Sequence, residues 1–189
     1  FNLQECIYDI VEEMKGLQKK EQQVIINFNG HPVINSDKKM LRNVIINLLS
    51  NAVKFSKEDG IITITAKTNS DNISIAVKDA GIGIGKEDQV HLFSSFFRAA
   101  NAFNIQGTGL GLHIVKRYID MLCGTVELDS ELNKGTTVTI SIPQIWFRMK
   151  TILVVEDSND IRENTVEILD LGGYKTLAAE NGKRGVELA

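Results

Sequence analysis

Asp79-Ala80-Gly81-Ile82-Gly83-Ile84-Gly85 is the stretch on which the fold turns. It leaves a strand, because Ile73-Ser74-Ile75-Ala76-Val77-Lys78 alternates apolar and polar residues up to the aspartate. Glycines at alternate positions let backbone approach backbone, or a ligand, with no Cβ between them. Asp79 is the only carboxylate of the turn and stands where the strand opens. A second run, Gly107-Thr108-Gly109-Leu110-Gly111-Leu112, leads into Ile114, Val115, Ile119 and Leu122, the spacing of an amphipathic helix. Backbone N–H groups at a glycine-rich helix start suit anions such as phosphate. A carboxylate site and a phosphate site on one domain point to a nucleotide. Neither run is a dinucleotide fingerprint, since Lys86 and Leu112 stand where the third glycine belongs. Neither is a P-loop, since Ala80 replaces its first glycine and Glu87 follows Lys86.

The chain of 189 residues has room for one large domain, or one domain and part of another. Its hydrophobic content of 43% and charged content of 24% are those of a globular protein with a sizeable core. A formal charge of -3 offers no basic footprint and argues against nucleic acid as a partner. Cys6 and Cys123 have no metal-ligand spacing and read as reduced thiols of a cytoplasmic protein. No apolar run has the length of a membrane span and no signal-peptide pattern is present. The chain begins at Phe1 and ends within an apparent helix, the look of a fragment.

Residues 2–20 have helical spacing, and Gln23 to Phe28 alternates as a strand turned by Asn29-Gly30. Asp37 stands at the N-cap of a helix reaching Phe55. Asn43, Asn47 and Asn51 recur every four residues on one side of that helix, with Lys54 beyond them. Asparagine is a mediocre helix former, so the row is either a solvated stripe or a set of amide oxygens for a hydrated cation. Lys54 suits phosphate as a point charge. Further strands are expected at 61–67, 73–78, 124–130 and 136–142, with a short helix at 87–93. Phe96 and Phe97 are assigned to the core. The small, polar stretch Ala99 to Gln106 reads as a mobile lid between the glycine runs. His31, His91 and His113 belong to no catalytic constellation.

With these features in order, residues 1–142 resemble the ATP-binding catalytic domain of sensor histidine kinases, the kinase branch of a superfamily shared with gyrase, Hsp90 and MutL. Asn47-Leu48-Leu49-Ser50-Asn51-Ala52-Val53-Lys54-Phe55 matches the N box, and Asp79 to Ile84 the first G box. Phe96-Phe97-Arg98 matches the F box, and Gly107 to Leu112 the second G box. The resemblance implies a two-layer α/β sandwich with a mixed sheet, binding ATP and Mg²⁺. By position, Asn51 would coordinate Mg²⁺ with support from Asn47, Lys54 would contact phosphate, and Asp79 would accept from the adenine amino group. Gly81 and Gly83 would let base and lid pack closely. Gly107, Thr108, Gly109, Leu110 and Gly111 would cradle the phosphates, and Arg98 would reach the γ-phosphate when the lid closes. The implied reaction carries the γ-phosphoryl group to a histidine on a dimerisation domain that this chain does not contain. A homodimeric full-length protein and a receiver domain or response regulator complete the implied partners. The competing readings are a nucleotide-binding pseudokinase and a gyrase-type ATPase, the latter disfavoured because Asn47 stands where that branch has a glutamate base.

From Thr151 the pattern changes. Thr151-Ile152-Leu153-Val154-Val155 is a continuous apolar run of the buried parallel-strand type, closed by Glu156-Asp157. A helix to about Leu171, a strand at Lys175–Ala179 and another helix follow. This resembles the opening of a response-regulator receiver of flavodoxin-like fold, whose acidic pair binds Mg²⁺; here that pair is Glu156 and Asp157. The expected division is a catalytic domain over 1–147, a linker at 148–150, and an incomplete receiver over 151–189.

Overall fold

Five strands in the order β1-β2-β3-β5-β4 form a mixed sheet in the first of two units, and helices cover one face of it. The structure is a computed structural model, and it describes residues 1–103, 105, 107–144, 151–171 and 174–188. The units are Phe1–Ile145 and Trp146–Ala189. The expected linker at 148–150 lies outside the described residues.

In the first unit the elements are α1 (Leu3–Met14), β1 (Gln23–Asn29), α2 (Lys38–Phe55), β2 (Ile61–Thr68), β3 (Asn72–Asp79) and α3 (Lys86–Gln89). They are followed by α4 (Gly111–Met121), β4 (Thr125–Glu131) and β5 (Gly135–Pro143). β1 and β2 run parallel, with Gln23 opposite Ile61, and the other pairings are antiparallel. Parallel neighbours need a crossover, and α2 supplies it. Alternation in β2 and β3 sends Ile62, Ile64, Ile73, Ile75 and Val77 inward. They meet Leu41, Ile45, Leu48 and Leu49 of α2, Val115 and Ile119 of α4, and Leu3, Ile7 and Ile10 of α1. Asp37 caps α2 as the sequence indicates, its carboxylate accepting from the Met40 N–H at 2.8 Å.

Three expectations change. The first helix stops at Met14 and tightens into a 3₁₀ turn over Lys15–Leu17, where the run to residue 20 was expected to continue. The helix expected at 87–93 is only the single turn of α3. Phe96 is not in the core: it is 73% exposed and sits at φ 62°, a left-handed turn residue whose side chain the bend throws outward.

The second unit comprises β6 (Thr151–Val155), α5 (Asn159–Leu171), β7 (Lys175–Ala179) and α6 (Gly182–Leu188). β6 and β7 pair in parallel, from Thr151 opposite Lys175 to Val155 opposite Ala179. Among its described residues only Val154, Ala179 and Gly185 are buried.

Candidate functional site

α2 carries Asn47 and Asn51 of the asparagine row to the edge of a cavity of about 450 Å³. The Asn47 Nδ2 donates back to the Asn43 carbonyl at 2.8 Å, which gives Asn43 a backbone role and turns the Asn47 Oδ1 away from it. That oxygen and the Asn51 amide converge on the first residue of α4. A methyl group added to Gly111 would lie 3.3 Å from Asn47 Oδ1 and 3.5 to 3.7 Å from the Asn51 amide atoms. Two side-chain amides therefore face a helix N-terminus, where backbone donors and the helix dipole favour an anion.

Asp79 ends β3, lines the same cavity and is 8% exposed. Its Oδ1 accepts from the Gly81 N–H at 2.8 Å, and the backbone of Thr136 adds a second hydrogen bond. Burial pushes this carboxyl above the usual carboxylate value, while the Gly81 and Thr136 hydrogen bonds pull it back. Thr136 faces Asp79 in the β3–β5 register and lines the cavity. Nothing local in the sequence marked it; only strand pairing brings it there.

The first glycine run is fastened to the β4–β5 hairpin. Ile82 accepts from the Asn133 N–H at 2.8 Å, and Ile84 donates to Ser130 Oγ at 2.9 Å. Gly83 lies between them at φ 63°, and a Cβ there would stand 1.9 Å from the Glu131 carbonyl oxygen. Only glycine fits both the turn and the gap.

Lys54 crosses the cavity toward the second run, its ammonium 2.3 Å from where a side chain at Gly107 would begin. The same ammonium lies 4.8 Å above the Phe55 ring. Burial lowers its pKa first, and the nearby Arg98 guanidinium lowers it further. Two cations held close together and partly desolvated make an anion site.

Arg98 is turned back onto its own loop. Its Nη2 donates to the carbonyls of Ala102, Phe103 and Ile105 at 2.7, 2.9 and 2.6 Å. The lid has more structure than its composition indicates: a 3₁₀ turn over Ala100–Ala102, with Ala99 and Ala102 buried. Asn101 Nδ2 donates to the Gly83 carbonyl at 2.8 Å, and the Ala100 N–H to Asp88 Oδ2 at 3.0 Å. Asn101 lines the cavity and escaped sequence reasoning, because its partner is a backbone carbonyl 18 positions away.

Of the residues singled out beforehand, Asn47, Asn51, Lys54, Asp79, Gly83 and Arg98 line this one cavity. So do Gly107, Thr108, Gly109, Leu110 and Gly111. Gly81 acts through its N–H on Asp79. Glu156 and Asp157 belong to the second unit, at the carboxyl end of β6. There Glu156 Oε1 accepts from the Ser158 N–H at 3.0 Å, and the Glu156 carbonyl accepts from Arg162 Nη1 at 2.6 Å.

Residues 36–145 match the family model of the histidine kinase-, DNA gyrase B-, and HSP90-like ATPases. The chain belongs to this ATPase family. Among curated relatives, the sensor histidine kinase RcsC of Escherichia coli strain K12 is 42% identical over 112 residues, covering 58% of this chain and 12% of its own. The circadian input-output histidine kinase CikA of Synechococcus elongatus is 29% identical over 174 residues, covering 84% of this chain and 23% of its own. The chain thus spans about an eighth of RcsC and under a quarter of CikA. Among solved structures, the mycobacterial sensor histidine kinase MprB superposes with a TM-score of 0.68 at 25% identity, covering 76% of this chain and 96% of that one. The α/β fold with its mixed sheet is the family's. No helix among the described residues is long and apolar enough to cross a membrane.

Proposed function

We propose that residues 1–147 are the ATP-binding catalytic domain of a two-component sensor histidine kinase, transferring the ATP γ-phosphoryl group to a histidine on a separate dimerisation domain. One observation carries the reading: a single cavity is lined by a buried carboxylate, two side-chain amides, two cations and the start of a helix. Adenine fits the carboxylate, because its amino group donates and a carboxylate accepts. Phosphates fit the cations and the helix start. A volume of about 450 Å³ lies within the range of small-molecule sites.

The residues also fit Mg²⁺. Among the described residues no group of three His, Cys, Asp or Glu side chains stands ready for a metal ion. Amide oxygen from Asn51, supported by Asn47, suits an ion that keeps waters and takes its remaining ligands from phosphate. When bound, the ion neutralises charge on the phosphates. Lys54 adds a point charge, Gly107 to Gly111 offer backbone N–H groups, and Arg98 reaches the γ-phosphate after letting go of the lid carbonyls. Catalysis here is positioning and electrostatics. Asn47 cannot serve as a base for water, which favours transfer over hydrolysis.

None of the chain's histidines is aimed at the cavity as an acceptor. His31 is in a turn with Val33, His113 meets the Phe93 carbonyl at 3.1 Å, and His91 packs on Phe97 with ring centroids 5.6 Å apart. We assign residues 151–189 to a receiver-type segment, with Glu156 and Asp157 as its acidic pair, and the protein to the cytoplasm. Incubation with labelled ATP and Mg²⁺ is expected to leave this chain unlabelled and to label a histidine-containing dimerisation domain supplied in trans. Stable label on this chain, or rapid phosphate release abolished by Asn51→Ala, overturns the assignment.

A further inference from the structure

The last carbonyls of a helix have no partner within it. At the end of α2, the carbonyls of residues 53 to 57 are each taken by a donor from outside the helix. Gln22 Nε2 donates to Val53 and to Lys57, both at 2.9 Å. Lys19 Nζ donates to the Lys54 carbonyl at 3.2 Å and to that of Ser56. Between them the Phe55 carbonyl accepts from the Ile82 N–H at 3.3 Å. Lys19 and Gln22 also hold each other: the Lys19 N–H donates to Gln22 Oε1 at 3.0 Å, and the Gln22 N–H to the Lys19 carbonyl at 3.1 Å. Gln22 is 7% exposed. Among the described residues no carboxylate pairs with the Lys19 ammonium, which sits instead at the negative end of the α2 dipole.

We infer that Lys19 and Gln22 are positioning residues for the nucleotide site, clamping the turn from which both of its ends are built. Lys54, whose side chain reaches the phosphate end, has its own carbonyl held by Lys19. The next residue, Phe55, holds Ile82 of the first glycine run, and Ser56 bridges Gly81, whose N–H fixes Asp79. Freeing this turn loosens phosphate and adenine contacts together. Both residues precede the 36–145 segment that the family model matches. The ligand rests on the function proposed above; the clamp itself does not.

A plain capping role would lower stability and leave the site alone, so the test reads the site. In the free protein, amide exchange at Ile82 and Gly83 is expected to accelerate in Lys19→Met and in Gln22→Met, with Ile73 to Val77 of β3 unchanged. Lys19→Arg keeps donors for both carbonyls and should restore the wild-type rate. Calorimetry well below the unfolding temperature should show ATP affinity several-fold weaker in Lys19→Met and recovered in Lys19→Arg. Unchanged exchange at Ile82 in both methionine variants overturns the inference even if their Tm falls, and so does faster exchange with unaltered ATP affinity. If wild-type protein binds no ATP, the proposed function fails while the exchange arm still decides the clamp.

Discussion

At Asp79, function and stability pull in opposite directions. Burial raises this carboxyl, so the fold favours its protonated form. Its stabilising contribution is complete below the ordinary carboxylate value and is lost as pH rises through the raised one. Asp79→Asn keeps an oxygen for the Gly81 N–H and removes the buried charge. The variant should therefore be at least as stable as wild type at neutral pH, with the difference vanishing toward about pH 4, as thermal melts across that range will show. It should also bind ATP about 5- to 150-fold more weakly, because an amide that presents a donor to adenine's donor leaves groups unpaired at a cost of about 1–3 kcal/mol. Lys54 obeys the same logic with the charge reversed. Its depressed pKa means that the fold disfavours the ammonium at neutral pH, a cost absent only above the ordinary lysine value. Lys54→Met should hold or raise Tm and lose ATP affinity while keeping adenosine affinity. Equal loss for both ligands in calorimetry would remove Lys54 from the phosphates.

Among the elements, α2 does two jobs on two faces. Leu41, Ile45 and Leu49 are fully buried against the sheet, while Asn47, Asn51 and Lys54 face the cavity. Truncating the buried face should unfold the domain without touching ligand groups: Leu49→Ala is expected to cost about 2–5 kcal/mol in denaturant unfolding, from lost contacts and the cavity left behind. The lid behaves differently. Its order depends on Arg98 gathering three carbonyls and on Asn101 holding Gly83. Arg98→Ala should speed proteolysis within residues 99–105 in the absence of nucleotide and leave the Tm of the sheet nearly unchanged. If Arg98 also meets phosphate when ATP is bound, ATP should protect the lid in wild type and not in the variant.

In the whole molecule the two units differ in how much each buries. The first has a continuous core running through three helices and a five-stranded sheet. The second has two paired strands, and α5 has no buried residue while Ile161, Ile168 and Leu171 are exposed. Local stability follows buried contacts, so amides of Ile152 to Val155 should exchange at least about tenfold faster than those of Ile73 to Val77. Equal protection would show that the β6–β7 unit finds cover of its own.

Whatever depends on neighbours along the chain is legible from the residues alone. Strand alternation, the Asp37 cap, the spacing of Asn47, Asn51 and Lys54 on one helix face, and the glycine runs all follow from local periodicity and hydrogen bonding, and with them the resemblance to histidine kinases. The tertiary structure decided what depends on distant partners. It set the parallel pairing of β1 with β2, and placed β5 between β3 and β4 so that Thr136 faces Asp79. It put Phe96 outside, turned Arg98 onto the lid carbonyls, and brought Lys19 and Gln22 to the end of α2. The strand pairings and the Lys19 and Gln22 contacts join residues far apart in sequence, and the donors involved carry no local signature. A lysine in a loop reads as solvated until the fold sets a helix end in front of it.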